Sequence, residues 1–113
     1  MKFLQITISL FALCVPVSAY SAMETIKSSD GVVASFDMDT MHFTKIHKGN
    51  RILGIVIEYN GKKDYRYLWV NCEKKAFLVE DRDHNEIANG YLNVRVTELP
   101  QYIGNRMCKI KEK

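Results

Sequence analysis

The sequence is short of the features that mark an enzyme or a nucleic-acid binder. It holds three cysteines, Cys14, Cys72 and Cys108. None stands in a C-x-x-C redox spacing, because Lys75 occupies the place where a partner for Cys72 would fall. A structural zinc site needs four ligands, and His42, His47 and His84 match no zinc spacing with the cysteines. No glycine-rich loop is visible, so neither a metal nor another cofactor is expected. Basic residues form no block beyond the closing "CKIKEK". A nucleic-acid partner, which asks for a clustered basic face, is therefore not expected. There is no repeat and no low-complexity stretch. No apolar run reaches the roughly 20 residues that a membrane-spanning helix requires.

What is present begins at the N-terminus, "MKFLQITISLFALCVPVSAYSA". Lys2 gives a short positive start, Phe3 to Val15 is mostly apolar and uncharged, and "VSA" ends the segment on small residues around Ala19. This is the layout of a secretory signal peptide, residues 1–19, with cleavage expected after Ala19 and, as second choice, after Ala22. The alternative is a buried N-terminal helix. A bacterial lipid anchor on Cys14 would need a small residue before it, and Leu13 stands there. Cleavage leaves about 94 residues, enough for one small domain. Residues 20–30 are expected to form a flexible N-terminal segment and 31–113 a single β-rich domain.

Two cysteines then remain, and an even count in a small exported chain reads as a disulfide framework. Cys72 and Cys108 lie 36 residues apart. A loop of that size is worth about 3.5–4 kcal/mol in the chain-entropy treatment. That is a large share of the roughly 5–15 kcal/mol of a whole domain.

The mature chain reads mostly as strand. "GVVASFD" and "MHFTKIH" are candidates, the second with Met41, Phe43 and Lys45 on one face and Ile46 on the other. "RILGIVIEY" follows, then Asn60-Gly61, the strongest short hairpin signal. In "YRYLWVNC", Leu68, Val70 and Cys72 share one face while Tyr65, Tyr67 and Trp69 line the other. Both faces are heavy, as for a central strand covered on both sides. "KAFLVED" continues after a turn near Lys74-Lys75, "RDHNE" turns again, and "YLNVRVTEL" alternates Leu92, Val94 and Val96 inward. Pro100 stops that strand and opens one or two helical turns that carry Cys108 back. The fold expected is mainly β (α+β): an antiparallel meander of five or six strands, a curved sheet or small barrel, with a short C-terminal helix tied by the disulfide.

Three constellations invite function. "EDRDHNE" alternates Asp81, Asp83 and Asn85 like a calcium loop, but Glu86 and Leu92 stand where an EF-hand needs Gly and Glu. It reads as a solvated hairpin tip. "FDMDTMH" offers Asp37, Asp39 and His42 for acid–base work, yet no nucleophile or second motif supports it, and such loops are usually turns. No catalytic residue is assigned. The row Tyr65, Tyr67 and Trp69, flanked by Arg66, Lys62 and Lys63, is the candidate binding face. Its alternative is a second small core under the helix.

"SFDMDTMHF", "RILGIVIEY", "YLWVNCE" and "LPQYIGNRMC" together resemble the surface-adhesin protein E-like family of Gram-negative bacteria, over roughly Val33 to Cys108. The resemblance implies a small surface or periplasmic domain with a β-sheet and a terminal helix. It also implies that a mid-strand cysteine pairs with one beside the helix, the places of Cys72 and Cys108. The best-known members bind host matrix or serum proteins. They are lipid-anchored, whereas Leu13 spoils a lipid site here, which favours the periplasm or release over display on the outer surface. The resemblance transfers no binding residues. The expected function is an exported, non-catalytic binding module acting on a protein partner. The alternative is a periplasmic inhibitor or immunity protein against a cell-wall hydrolase, presenting a protruding loop such as Arg82 to Asn89.

Overall fold

Turn chemistry sets the register of the sheet. Asn60 and Gly61 both have positive φ, 53° and 78°, as a type I′ hairpin turn requires. The turn joins β4 (Arg51–Tyr59) to β5 (Lys62–Asn71), which pair from Tyr59↔Lys62 to Arg51↔Val70 without interruption. In this computed structural model, which describes residues 23–91 and 98–111, the sheet grows outward from that hairpin. On one side β5 pairs with β6 (Ala76–Glu80), and β6 with β7 (Glu86–Tyr91). On the other, β4 pairs along one edge with both β2 (Val33–Asp37) and the two-residue β3 (His42–Phe43). β1 (Met23–Lys27) then pairs with β2. All pairs are antiparallel, so the path is a six-stranded meander whose second strand is broken in two.

The break is a single 3-10 turn, Met38–Thr40. Asp37 builds it: its carboxylate accepts the Asp39 N–H at 3.0 Å, and its carbonyl accepts the Thr40 hydroxyl at 2.6 Å. This is how Asp and Thr stabilise turns generally, by bonding the local backbone.

One helix, α1 (Glu98–Cys108), covers one face. Strand alternation puts Ala34 and Phe36, Leu53 and Ile55, Leu68 and Val70, and Phe77 and Val79 on that face, and Ile103 and Met107 pack onto them. Fully burying a side chain of this kind is worth about 1.5–3 kcal/mol. The helix is held at several other points. Cys72, just past β5, is bonded to Cys108, the last helical residue. The Arg51 guanidinium lies over the Phe43 ring and donates to the carbonyls of Met107 and Ile110, a cation placed at the negative end of the helix. Ser29 donates through its N–H and its hydroxyl to Glu98, both at 2.9 Å.

Four expectations need correction. Residues 20–30 are not wholly a flexible segment, because Met23–Lys27 is the outer strand. Five residues of mixed polarity carry little strand signal alone. Pairing with β2, Ile26 against the core, and a two-pronged ion pair from Arg106 to Glu24 decide it. "MHFTKIH" supplies only His42–Phe43 as strand, since the chain then leaves the sheet as a loop over residues 44–50. The stretch Glu86–Tyr91 is strand although Ala, Asn and Gly are poor strand formers, because β6 offers a paired edge. The helix begins at Glu98, ahead of Pro100, and is longer than one or two turns. Pro100 is tolerated in its first turn, where an N–H has no helical partner in any case. The inward alternation expected at Leu92, Val94 and Val96 lies outside the described residues, as does the signal segment 1–19.

Candidate functional site

The face opposite α1 is built from the intervening residues of the same strands. Across β4, β5 and β6 the register sets Gly54, Tyr67 and Glu80 side by side, and next to them Ile52, Trp69 and Leu78. Trp69, Leu78 and Glu80 are all buried. A buried indole N–H needs an acceptor, and Trp69 Nε1 donates to Glu80 Oε1 at 2.6 Å. A buried carboxylate in turn needs several partners to offset its desolvation.

Two loops supply them. In the β6–β7 turn His84 adopts φ 66°, bringing its Nδ1 to 2.9 Å from Glu80 Oε1 and its ring flat against Tyr67, centroids 4.5 Å apart. In the loop 44–50 His47 adopts φ 60°, placing its Nε2 3.6 Å from Glu80 Oε2 and its ring edge-on to Trp69 at 4.7 Å. That loop is seated by backbone bonds from Thr44 N–H to the Asn50 carbonyl (2.7 Å) and from Asn50 N–H to the Val70 carbonyl (3.0 Å). Gly49 lets it lie flat, since a Cβ there would come within 2.6 Å of the Val70 nitrogen.

Glu80 therefore works as a latch for two loops. Only 3% of its side chain is exposed, which leaves no room for a substrate at the carboxylate. Asp37 is committed to its turn, and His42 is exposed on β3 opposite Ile52.

Of the expected binding face, Tyr65 and Tyr67 are half-buried and pack edge to face at 5.1 Å. Gly54 makes room for Tyr65, because a methyl group there would overlap its hydroxyl. Trp69 does not belong to an open face: His47 covers it and Glu80 holds its N–H. The second-core alternative holds for Trp69 alone, and under a loop rather than under the helix. Arg66 also needs correction. It is the intervening residue between Tyr65 and Tyr67, so it points to the α1 side, in phase with Leu68. There its guanidinium pairs with Asp64 at 3.0 Å and holds that exposed carboxyl below its usual range. Lys62 and Lys63 stand exposed at the hairpin tip.

Half of the segment Arg82 to Asn89 is β7, which begins at Glu86, and its turn is tied inward. Asp81 Oδ1 accepts the N–H groups of Asp83 and Asn85, each at 2.9 Å. Those bonds, Asn85 first, keep the Asp81 carboxyl more acidic than usual. The acidic tip thus acts as turn chemistry, and among the described residues no three His, Cys, Asp or Glu side chains are grouped to hold a metal ion.

Past Trp69 the same face opens into a cleft of about 670 Å³. Its lining includes His47, Lys48, Asn71, Lys74, Ala76 and Asn89. Sequence reasoning missed both the latch and this cleft. The usable signal was a glutamate in phase with Leu78 in the buried run "AFLVE", near a tryptophan whose N–H wants an acceptor. Nothing local points to His47 or His84. No protein-family model, curated protein or solved structure matches the chain. No helix among the described residues is long and apolar enough to cross a membrane.

Proposed function

We propose that the protein is an exported, non-catalytic binding module that works through protein–protein contact on the sheet face opposite α1. The observation that carries this reading is the asymmetry of the sheet. One face is sealed by a helix and a disulfide. The other presents Tyr65 and Tyr67, half-buried, beside the exposed Lys63, which is in phase with them on β5. Interfaces favour such aromatics, because they bring large contact area at small entropic cost. The disulfide suits an oxidising compartment, and the N-terminal segment suits export to the periplasm or beyond. The likeness to the surface-adhesin protein E-like family makes host matrix and serum proteins the first partners to try, and periplasmic proteins the second. The inhibitor reading has less support, since the loop it would insert is a short turn pinned by Asp81 and His84.

The test immobilises the disulfide-bonded protein and measures binding of purified matrix proteins, serum proteins and periplasmic extract. A Tyr65→Ala, Tyr67→Ala double variant that keeps its β-sheet spectrum should lose at least about tenfold in affinity. Undiminished binding by that variant would move the interface elsewhere. Turnover of any substrate by the folded protein would remove the non-catalytic reading altogether.

A further inference from the structure

We infer that the cleft past Trp69 receives an acidic segment of the protein partner, with Lys48 and Lys74 gripping its carboxylates. The inference rests on the proposed binding role and adds the chemistry of what is bound.

Its volume, about 670 Å³, falls within the range of pockets that enclose a ligand. Its lining is rich in donors. Lys48 and Lys74 are both exposed and therefore free to reorient. Asn71 lines the cleft with them, and its side-chain oxygen already accepts the Lys74 backbone N–H at 3.0 Å. That bond uses the acceptor end of the Asn71 amide, and its nitrogen is a donor. No Asp or Glu lines the cleft among the described residues. Glu73, the exposed neighbour of Lys74 in the chain, lies outside the lining, Glu80 is held in the Trp69 bond, and Glu86 accepts from Asn89. A second hollow of about 340 Å³ adjoins it, sharing His47, Asn71 and Lys74 and adding Lys45. The concave surface is thus of one charge sign, against a chain whose formal charge is only +3.

Position supports the same conclusion. Asn71 lies six residues along β5 from Tyr65 on the same face, about 20 Å at strand spacing. A partner surface can therefore meet Tyr65 with an apolar part and the cleft with an acidic part, passing over the His47 side chain that covers Trp69. Charge complementarity of this kind sets orientation and on-rate as much as affinity.

The experiment follows backbone amide shifts of the purified, disulfide-bonded, nitrogen-15-labelled protein. Three probes are used: acetyl-hexaglutamate amide, acetyl-hexaglutamine amide and inorganic phosphate. Hexaglutamate should shift Asn71, Lys74, Ala76, Asn89 and Gly90, with a dissociation constant of about 1 mM or tighter at low salt. Lys48→Glu with Lys74→Glu, both at exposed sites, should weaken it about tenfold or more, and added salt should weaken it too. The inference falls if hexaglutamate shifts nothing in the cleft, or if hexaglutamine binds as well. It falls if phosphate gives the same shifts at the same strength, which would mark a simple anion site, or if the shifts scatter to Lys62 and Lys63. Loss of hexaglutamate binding while a partner still binds through Tyr65 and Tyr67 sinks this inference and leaves the proposed function standing. The reverse pattern sinks the proposed function alone.

Discussion

The two faces of the sheet come from alternate residues of the same strands, yet they are closed by different physics. The α1 face is closed by apolar area, with Phe36, Leu53, Leu68, Val70, Phe77, Ile103 and Met107 almost wholly out of water. That attraction has no direction, and it tolerates any filling of the right volume. The opposite face is closed at one place by a carboxylate that must meet an indole and two imidazoles at defined angles. Such closure is local and directional, and it leaves the rest of the face open. A protein that needs one stable side and one side for a partner gains from separating the two.

That contrast can be broken experimentally, first on the α1 face. Phe77→Ala should cost about 3–5 kcal/mol in urea unfolding, because it opens a cavity in the fully buried cluster. A loss under 1 kcal/mol would mean the helix does not seal that face. Reducing the Cys72–Cys108 bond, or replacing both cysteines with serine, should cost about 3.5 kcal/mol by the same measurement. On the opposite face, Glu80→Ala should cost less, about 1–3 kcal/mol, since its main effect is to strand the buried indole N–H of Trp69. Its signature is local: hydrogen exchange should quicken in residues 44–50 and 81–85 and remain slow at Leu68 and Val70. Uniform quickening would erase the distinction between the faces.

The smallest effect is in the turn of the open face. Asp81 is more acidic in the folded chain than its ordinary 3.8, first through the Asn85 N–H. A lowered folded value adds stability that is complete above the unfolded value and is lost as pH falls through the folded one. The amide resonances of Asp83 and Asn85 should therefore move together at acid pH, with a midpoint below the ordinary 3.8. In Asp81→Asn that transition should vanish.

The helix-covered half was the more legible in the sequence, for a physical reason. "RILGIVIEY" coincides with β4 from end to end, and Asn60-Gly61 makes the turn its chemistry demands. Periodicity and turn residues are local, and here local preference agrees with the global fold. The cysteine pair was readable because two cysteines permit one intramolecular bond. The latch was not readable, because His47 and His84 lie in different loops 37 residues apart. Each reaches Glu80 only through a backbone turn with positive φ, which neither residue type announces. Arg66 was misplaced for a simpler reason. Flanking an aromatic row in sequence puts a strand residue on the other face. Trp69 was correctly phased, but nothing in its own strand says that a distant loop will cover it.

The meander has a consequence for the order of assembly. Every strand finds its neighbour across a short connection, so the sheet needs no distant chain closure. The tie between Cys72 and Cys108 spans 36 residues and brings its sulfurs together only when α1 has docked. A bond made after the sheet has paired would thus act as a clasp on a closed book, and the geometry of the finished fold would select the native pairing.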